Sequence, residues 1–225
     1  MATPRSQRIG IWIIAIVLAI GTVGSFFAMI LGTQNQAIDT ANLKKVENEY
    51  QTKVSERDKK VEAQAKELSA TYYPEFSTYE SVPAAFNGDE IKELTKNDLK
   101  VGDGAEIKKG TEYSAYYIGW DPKGVIFDQS ISDGALKEPI SGGSSTSSMI
   151  LGWDEGVIGM KTGGVRELSI PSDKAYGEKG NGSNIAANTP IKFVIMIIPK
   201  ITEVPQVTVP QELLDYYQSQ YSGQQ

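Results

Sequence analysis

Of the side chains that ordinarily carry covalent or proton-transfer chemistry, this 225-residue chain has no cysteine and no histidine. Thiolate nucleophiles, disulfides, Cys/His zinc sites and Ser-His-Asp or Cys-His triads are thereby excluded. The remaining polar constellations are weak. Asp154-Glu155 is an adjacent acid pair at a helix start, better matched to the helix dipole than to a metal. The Ser/Gly run 141–148 lacks the Gly-Lys-Ser/Thr ending of a phosphate loop and reads as a flexible linker. The glycines of 177–182 lack the strand-loop-helix setting of a dinucleotide site. Taken singly, Phe127, Trp153 and Phe193 are ordinary core aromatics and Tyr176 an ordinary turn tyrosine. The net charge of −6 argues against a nucleic-acid partner, which needs a basic face.

The elements that must position these residues begin near Phe86, where turn pairs appear at short intervals: Asn87-Gly88, Gly102-Asp103-Gly104, Asp121-Pro122-Lys123-Gly124 and Gly163-Gly164. Between them lie strand-like segments at 112–118, 125–127, 165–170 and 191–198. Trp153, Val157 and Met160 have helical spacing. The pattern predicts an α+β or mostly-β domain of antiparallel strands with one brief helix. Residues 69–225 carry 13 basic and 21 acidic side chains, so this part holds the acidity.

Two unlike segments precede it. Ile9 to Leu31 has no charged residue; as a helix it would reach ~34 Å, enough for a ~30 Å hydrocarbon core. Arg5 and Arg8 lie before it and the next basic residue is Lys44, so residues 1–8 are expected in the cytoplasm and the rest outside, as a single-pass protein. A cleaved signal peptide is the alternative, and it exports the chain equally. Residues 32–75 read as a charged helical stalk. Asp39 to Glu67 holds seven basic and seven acidic residues, with Glu49–Lys53, Glu56–Lys60 and Glu62–Lys66 in the favourable i,i+4 order. Leu43, Val46, Tyr50, Val54, Val61 and Leu68 form only a thin apolar stripe. A solvated helix ending before Tyr72-Tyr73-Pro74 is expected, with weak self-association through the stalk as the lesser reading. Residues 204–225 read as a flexible tail, with a turn or two of helix at Gln211–Tyr217.

The domain resembles a known family. Tyr117-Ile118-Gly119 followed by Gly124-Val125-Ile126-Phe127-Asp128-Gln129-Ser130 is similar to the "Y-x-G … G-x-x-F-D-x-S" signature of FKBP-type peptidyl-prolyl isomerases. Ile150-Leu151-Gly152-Trp153-Asp154-Glu155-Gly156, Gly159-Met160-Lys161-Thr162-Gly163-Gly164 and Ile170-Pro171-Ser172-Asp173-Lys174-Ala175-Tyr176-Gly177 resemble three further motifs, in order, over roughly 90–201. The sequence departs from the pattern at Ile185-Ala186-Ala187-Asn188, where a proline pair usually follows the isoleucine, and in the Ser/Gly insert.

The resemblance implies an FKBP-like α+β fold, a five-stranded antiparallel half-barrel around one short helix, spanning 76–203. It implies catalytic residues Tyr117, Phe127, Asp128, Ile150, Trp153, Tyr176 and Phe193, with Met149, Ile185 and Ile140 also binding substrate. Trp153 would be the floor and Tyr117, Phe127 and Phe193 the walls. The Ile150 N–H and Tyr176 hydroxyl would hold carbonyls of the bound chain. Asp128 would act electrostatically, or hold Tyr117 or a loop; the second is favoured. The implied activity is rotation of X-Pro bonds in proline-containing polypeptides, assisting extracytoplasmic folding. That barrier of ~18–20 kcal/mol is amide resonance. Lowering it needs an environment that prefers the twisted, less polar amide, and no cofactor, metal, acid or base. A non-catalytic membrane-tethered chaperone or peptide-binding module is the alternative.

Overall fold

A strand buried along nearly its whole length is covered on both faces, and Tyr113–Trp120 and Ile191–Ile198 have that character. The computed structural model describes residues 36–144, 149–182 and 184–222. Ile9–Leu31, the expected membrane span, lies outside the described residues, as do 1–8 and 145–148. Among the described residues no helix is long and apolar enough to cross a membrane. The chain divides into two compact units, Ser55–Gln206 and a smaller one of the residues up to Val54 with those from Val207.

In the larger unit, β1 (Thr95–Lys100), β2 (Tyr113–Trp120), β3 (Ile126–Gln129), β6 (Ile140–Gly142), β7 (Val165–Ile170) and β8 (Ile191–Ile198) form one antiparallel sheet. Its order is β1-β7-β8-β2-β3, and β6 pairs with the start of β2. A separate pair, β4 (Ile131–Ser132) and β5 (Ala135–Leu136), follows β3. On the inner face Ala115, Leu168, Ile170, Ile191, Phe193, Ile195 and Ile197 pack with Trp153 and Val157 of the short helix α2 (Leu151–Val157). On the outer face Tyr116, Ile118, Trp120, Val165, Val194, Met196 and Ile198 form a second core. Each fully buried aliphatic chain contributes about 2 kcal/mol of transfer free energy.

The helix lies directly on the sheet because two of its residues lack a side chain. A Cβ on Gly156 would fall 2.3 Å from Leu168 Cδ1, and one on Gly152 2.3 Å from Ile170 Cγ2. Arg166, in β7, fastens it there. Its guanidinium donates to both oxygens of Asp98 on β1, at 2.6 and 3.1 Å. It also donates to the carbonyls of Gly156 and Ile158 at the end of α2, at 2.8 and 3.1 Å. Glu155 pairs with Lys174 at 2.5 Å, a tertiary contact where the sequence suggested a dipole partner.

The outer core is closed by a segment expected to be solvated. Helix α1 runs from Gln36 to Phe76, with Pro74 inside it, whereas the sequence predicts an end before Tyr72. Proline there removes one helical hydrogen bond. Packing overrides that cost: Phe76 is wholly buried, and Tyr72 and Tyr73 pack against the outer core beside it. Ser69 Oγ accepts the Leu136 N–H at 2.9 Å, and Glu75 pairs with Lys100 at 2.6 Å. Tyr79, Val82 and Phe86 continue the same cover.

Three further differences from the sequence reading have local causes. Strand β1, Thr-Lys-Asn-Asp-Leu-Lys, has no apolar alternation because it is an exposed edge; it exists by pairing with β7. Ser141 and Gly142, assigned to a flexible linker, belong to β6 and pair with Ser114 and Tyr113. In the smaller unit, Gln211–Ser222 of the expected tail forms helix α3. It is held there because Leu213 is buried with Tyr50, and Leu43, Val46, Val54, Val207, Val209 and Tyr217 pack around them. Leu43, Val46, Tyr50 and Val54 of the thin stripe are thus half of a small intrachain core.

Candidate functional site

The site begins with an irregularity in β3. Gly119 faces Asp128 and Trp120 faces Ile126, leaving Phe127 as the extra residue of a β-bulge. A bulge turns two successive side chains towards one face, so Phe127 and Asp128 both serve the inner side. Gly119 makes the room: a Cβ there would sit 2.5 Å from Phe193 and 2.7 Å from Phe127.

Four rings meet at this point. Phe193 of β8 stands edge-on to Trp153 with centroids 5.2 Å apart, to Phe127 at 5.5 Å and to Tyr117 at 6.1 Å. Tyr117 and Trp153 meet at 5.6 Å and 86°. Such T-shaped contacts add roughly 0.5–1.5 kcal/mol each beyond burial. Trp153 and Phe193 are buried, whereas Tyr117 and Phe127 are half-buried. Ile185 is buried in the same cluster, and Ile140, Met149, Ile150 and Tyr176 pack partly exposed against it. All nine apolar and aromatic residues picked out in the sequence are therefore in one cluster.

Asp128, the tenth, is exposed and accepts the Tyr117 hydroxyl at 2.5 Å through Oδ2. Its Oδ1 accepts the Gln129 N–H at 2.8 Å. The carboxylate thus holds the Tyr117 ring. Ile150 precedes α2 in extended conformation, and its carbonyl accepts the Trp153 and Asp154 N–H groups. Its own N–H has no acceptor among the described residues. The Tyr176 hydroxyl shares a hydrogen bond with the side chain of Asn181. The loop that lacks the proline pair is pinned by its backbone: Asn181 N–H donates to Ile185 O and Asn188 N–H to Gly177 O, both at 2.8 Å.

Burial pushes the Tyr117 phenol well above its ordinary value, and Asp128 adds to the shift. Tyr176 is raised by burial and then by Asp128. Both stay neutral donors through ordinary pH. Burial also raises Tyr116, and pushes Tyr113 up to about 12. A phenol raised above its unfolded value of about 10 contributes stability that is complete below pH 10 and lost as pH rises through the folded value. Urea unfolding should accordingly give equal stability at pH 8 and 9.5 and a clear fall at pH 11; a flat profile to pH 12 would refute the burial of these rings.

Sequence reasoning missed four contributors. Gly119 makes space, and Ser130 Oγ accepts the Tyr117 N–H at 2.9 Å, extending the ladder past the bulge. Asn181 meets Tyr176. Tyr113 accepts the Trp153 indole N–H at 2.9 Å. Gly119 and Ser130 stand inside the first family motif without an assigned role, and Tyr113 shares one face of β2 with residues 115, 117 and 119. Among the described residues no group of three or more Asp or Glu side chains could hold a metal ion.

A neutral aromatic cluster between sheet, helix and loops suits an apolar peptide segment, not covalent chemistry. The profile of the FKBP-type peptidyl-prolyl cis-trans isomerase family matches residues 104–198. Over 105 residues the chain is 38% identical to the FK506-binding protein of Neisseria meningitidis serogroup A, covering 47% of this chain and 94% of that protein. It is also 38% identical over 113 residues to the probable FK506-binding protein of Corynebacterium glutamicum, covering 49% and 90% respectively. A crystal structure of a peptidyl-prolyl cis-trans isomerase from Pseudomonas syringae pv. tomato is similar at 29% identity and a TM-score of 0.41, covering 60% of this chain and 92% of that one. The chain belongs to the FKBP-type peptidyl-prolyl cis-trans isomerase family. A domain of this family implies proline-containing peptides as substrates.

Proposed function

We propose that this chain is a membrane-tethered prolyl isomerase that assists the folding of extracytoplasmic proteins, with the aromatic cluster as its reaction site. The observation that carries the reading is Phe193 in edge-on contact with Tyr117, Phe127 and Trp153, beside a single carboxylate already occupied by Tyr117. In a twisted X-Pro amide, nitrogen and carbonyl are decoupled and the group is less polar. Rings without free charge solvate that state better than the planar amide, and each ~1.36 kcal/mol of such preference gives tenfold in rate. The Ile150 N–H and the Tyr176 hydroxyl orient the flanking carbonyls. Uncharged Ile9–Leu31 after Arg5 and Arg8 supports the tether and its orientation.

Two measurements test the proposal. The full chain should accelerate cis/trans exchange of a short X-Pro peptide, and folded Phe127→Ala should lose at least about tenfold in kcat/KM through loss of one wall. A folded wild-type chain without catalysis would leave a tethered peptide-binding module in its place. Protease added outside intact cells should digest the domain; a fully protected domain would overturn the orientation.

A further inference from the structure

Beneath the aromatic cluster lies a contact that belongs to none of the sequence motifs. Tyr113 opens β2 on the face that carries Ala115 and Tyr117, and its side chain is 2% exposed. The Trp153 indole N–H donates to its phenol oxygen at 2.9 Å. The phenol occupies space left by the residue directly across the sheet. Gly142 pairs with Tyr113, and a Cβ on Gly142 would fall 2.3 Å from Tyr113 Cζ and 2.4 Å from its oxygen. The indole is thus held at both ends: edge-on by Tyr117 and Phe193 above, and by a buried hydrogen bond below.

We propose that Tyr113 is a positioning residue for prolyl isomerisation, acting through Trp153, with Gly142 keeping its place open. The inference rests on the assignment of the aromatic cluster as the reaction site. Planar and twisted amides differ by small displacements of a few atoms. A floor that favours one must therefore stay fixed while the bond turns. A buried indole N–H without an acceptor would pull the ring towards another partner. A floor free to tilt follows either form of the amide, so the preference is lost while ground-state binding is kept. Burial keeps the Tyr113 phenol neutral, and so a steady acceptor.

The test uses the full chain and four forms: wild type, Tyr113→Phe, Trp153→Phe and the double variant. Prolyl exchange in an X-Pro peptide gives kcat and KM, and nitrogen-15 spectra give the indole N–H resonances. The Trp153 resonance is assigned by its absence from Trp153→Phe. Tyr113→Phe should lower kcat about three- to tenfold with KM nearly unchanged, and should move the Trp153 resonance. The same change in the Trp153→Phe background should have no further effect. A wild-type kcat in folded Tyr113→Phe, or an equal loss in both backgrounds, would overturn the proposal. Gly142→Ala displaces the same phenol from the opposite strand and decides the matter if Tyr113→Phe does not fold: a shifted indole resonance with unchanged kcat again overturns it. Failure of the site assignment is seen separately, as full activity in Phe127→Ala.

Discussion

Gly119→Val should abolish prolyl isomerisation, by about 100-fold or more in kcat/KM, in a protein that still folds. The added Cβ would lie 2.5 Å from Phe193 Cε1, and 2.7 and 2.9 Å from Phe127 Cζ and Cε2. Carbon atoms pack at about 3.5–4.0 Å, so both rings must leave their positions. The space open to them is the volume that an X-Pro segment would take. The strand itself tolerates the change: Gly119 is paired on both edges, to Asp128 and to Phe193, and valine favours such backbone. Overpacking of this kind costs about 1–3 kcal/mol of stability. Circular dichroism should therefore report a folded chain with a lowered Tm. This substitution fills the site where Phe127→Ala empties it, so a site elsewhere would be spared by both. Near-wild-type kcat/KM in Gly119→Val would be incompatible with the assignment.

Arg166→Ala should be the most destabilising single change away from the rings, at about 3 kcal/mol. One side chain there ties three elements. It forks onto Asp98 of the edge strand and donates to two carbonyls at the end of α2. A seven-residue helix has few internal bonds of its own, and its last carbonyls need outside donors. The Arg166 side chain is 7% exposed and that of Asp98 43%, so water screens part of the pair and the full cost of a buried ion pair does not apply. For a domain of this size the Tm should fall by about 6–12 °C. Arg166→Lys should recover little of it, because a single ammonium cannot reach the carboxylate and the carbonyls together. A Tm within about 2 °C of wild type in Arg166→Ala would show that α2 is held by packing alone.

The candidate site was more legible in the sequence than its supports were. Tyr117, Phe127, Trp153, Tyr176 and Phe193 sit in recognisable local strings, and ring type together with order was enough to bring them to one cluster. The β8 segment was readable because seven of its eight residues are apolar. Strand β1 was not, because an edge strand of Lys, Asn and Asp owes its conformation to its partner. Pro74 was read by its local rule, whereas a buried Phe76 two residues on decides the helix end. Arg166 looked like one charged residue inside a strand; its three partners come from β1 and α2, which no local window contains. The same holds for Leu213, whose partner Tyr50 is 163 positions away.

The aromatic cover on the outer face also settles where the molecule can be divided. Every family motif lies beyond residue 104, and a cut just ahead of β1 would keep them all. It would also strip Tyr72, Tyr73 and Phe76 from Tyr116, Ile118 and Met196, and remove the acceptor for Leu136 N–H. The remaining half-barrel would present a greasy, half-finished sheet to water, a surface prone to aggregation. Spacer and enzyme therefore overlap in sequence by about two helical turns. From Ser69 to Phe76 the helix is part of the folded domain's own body.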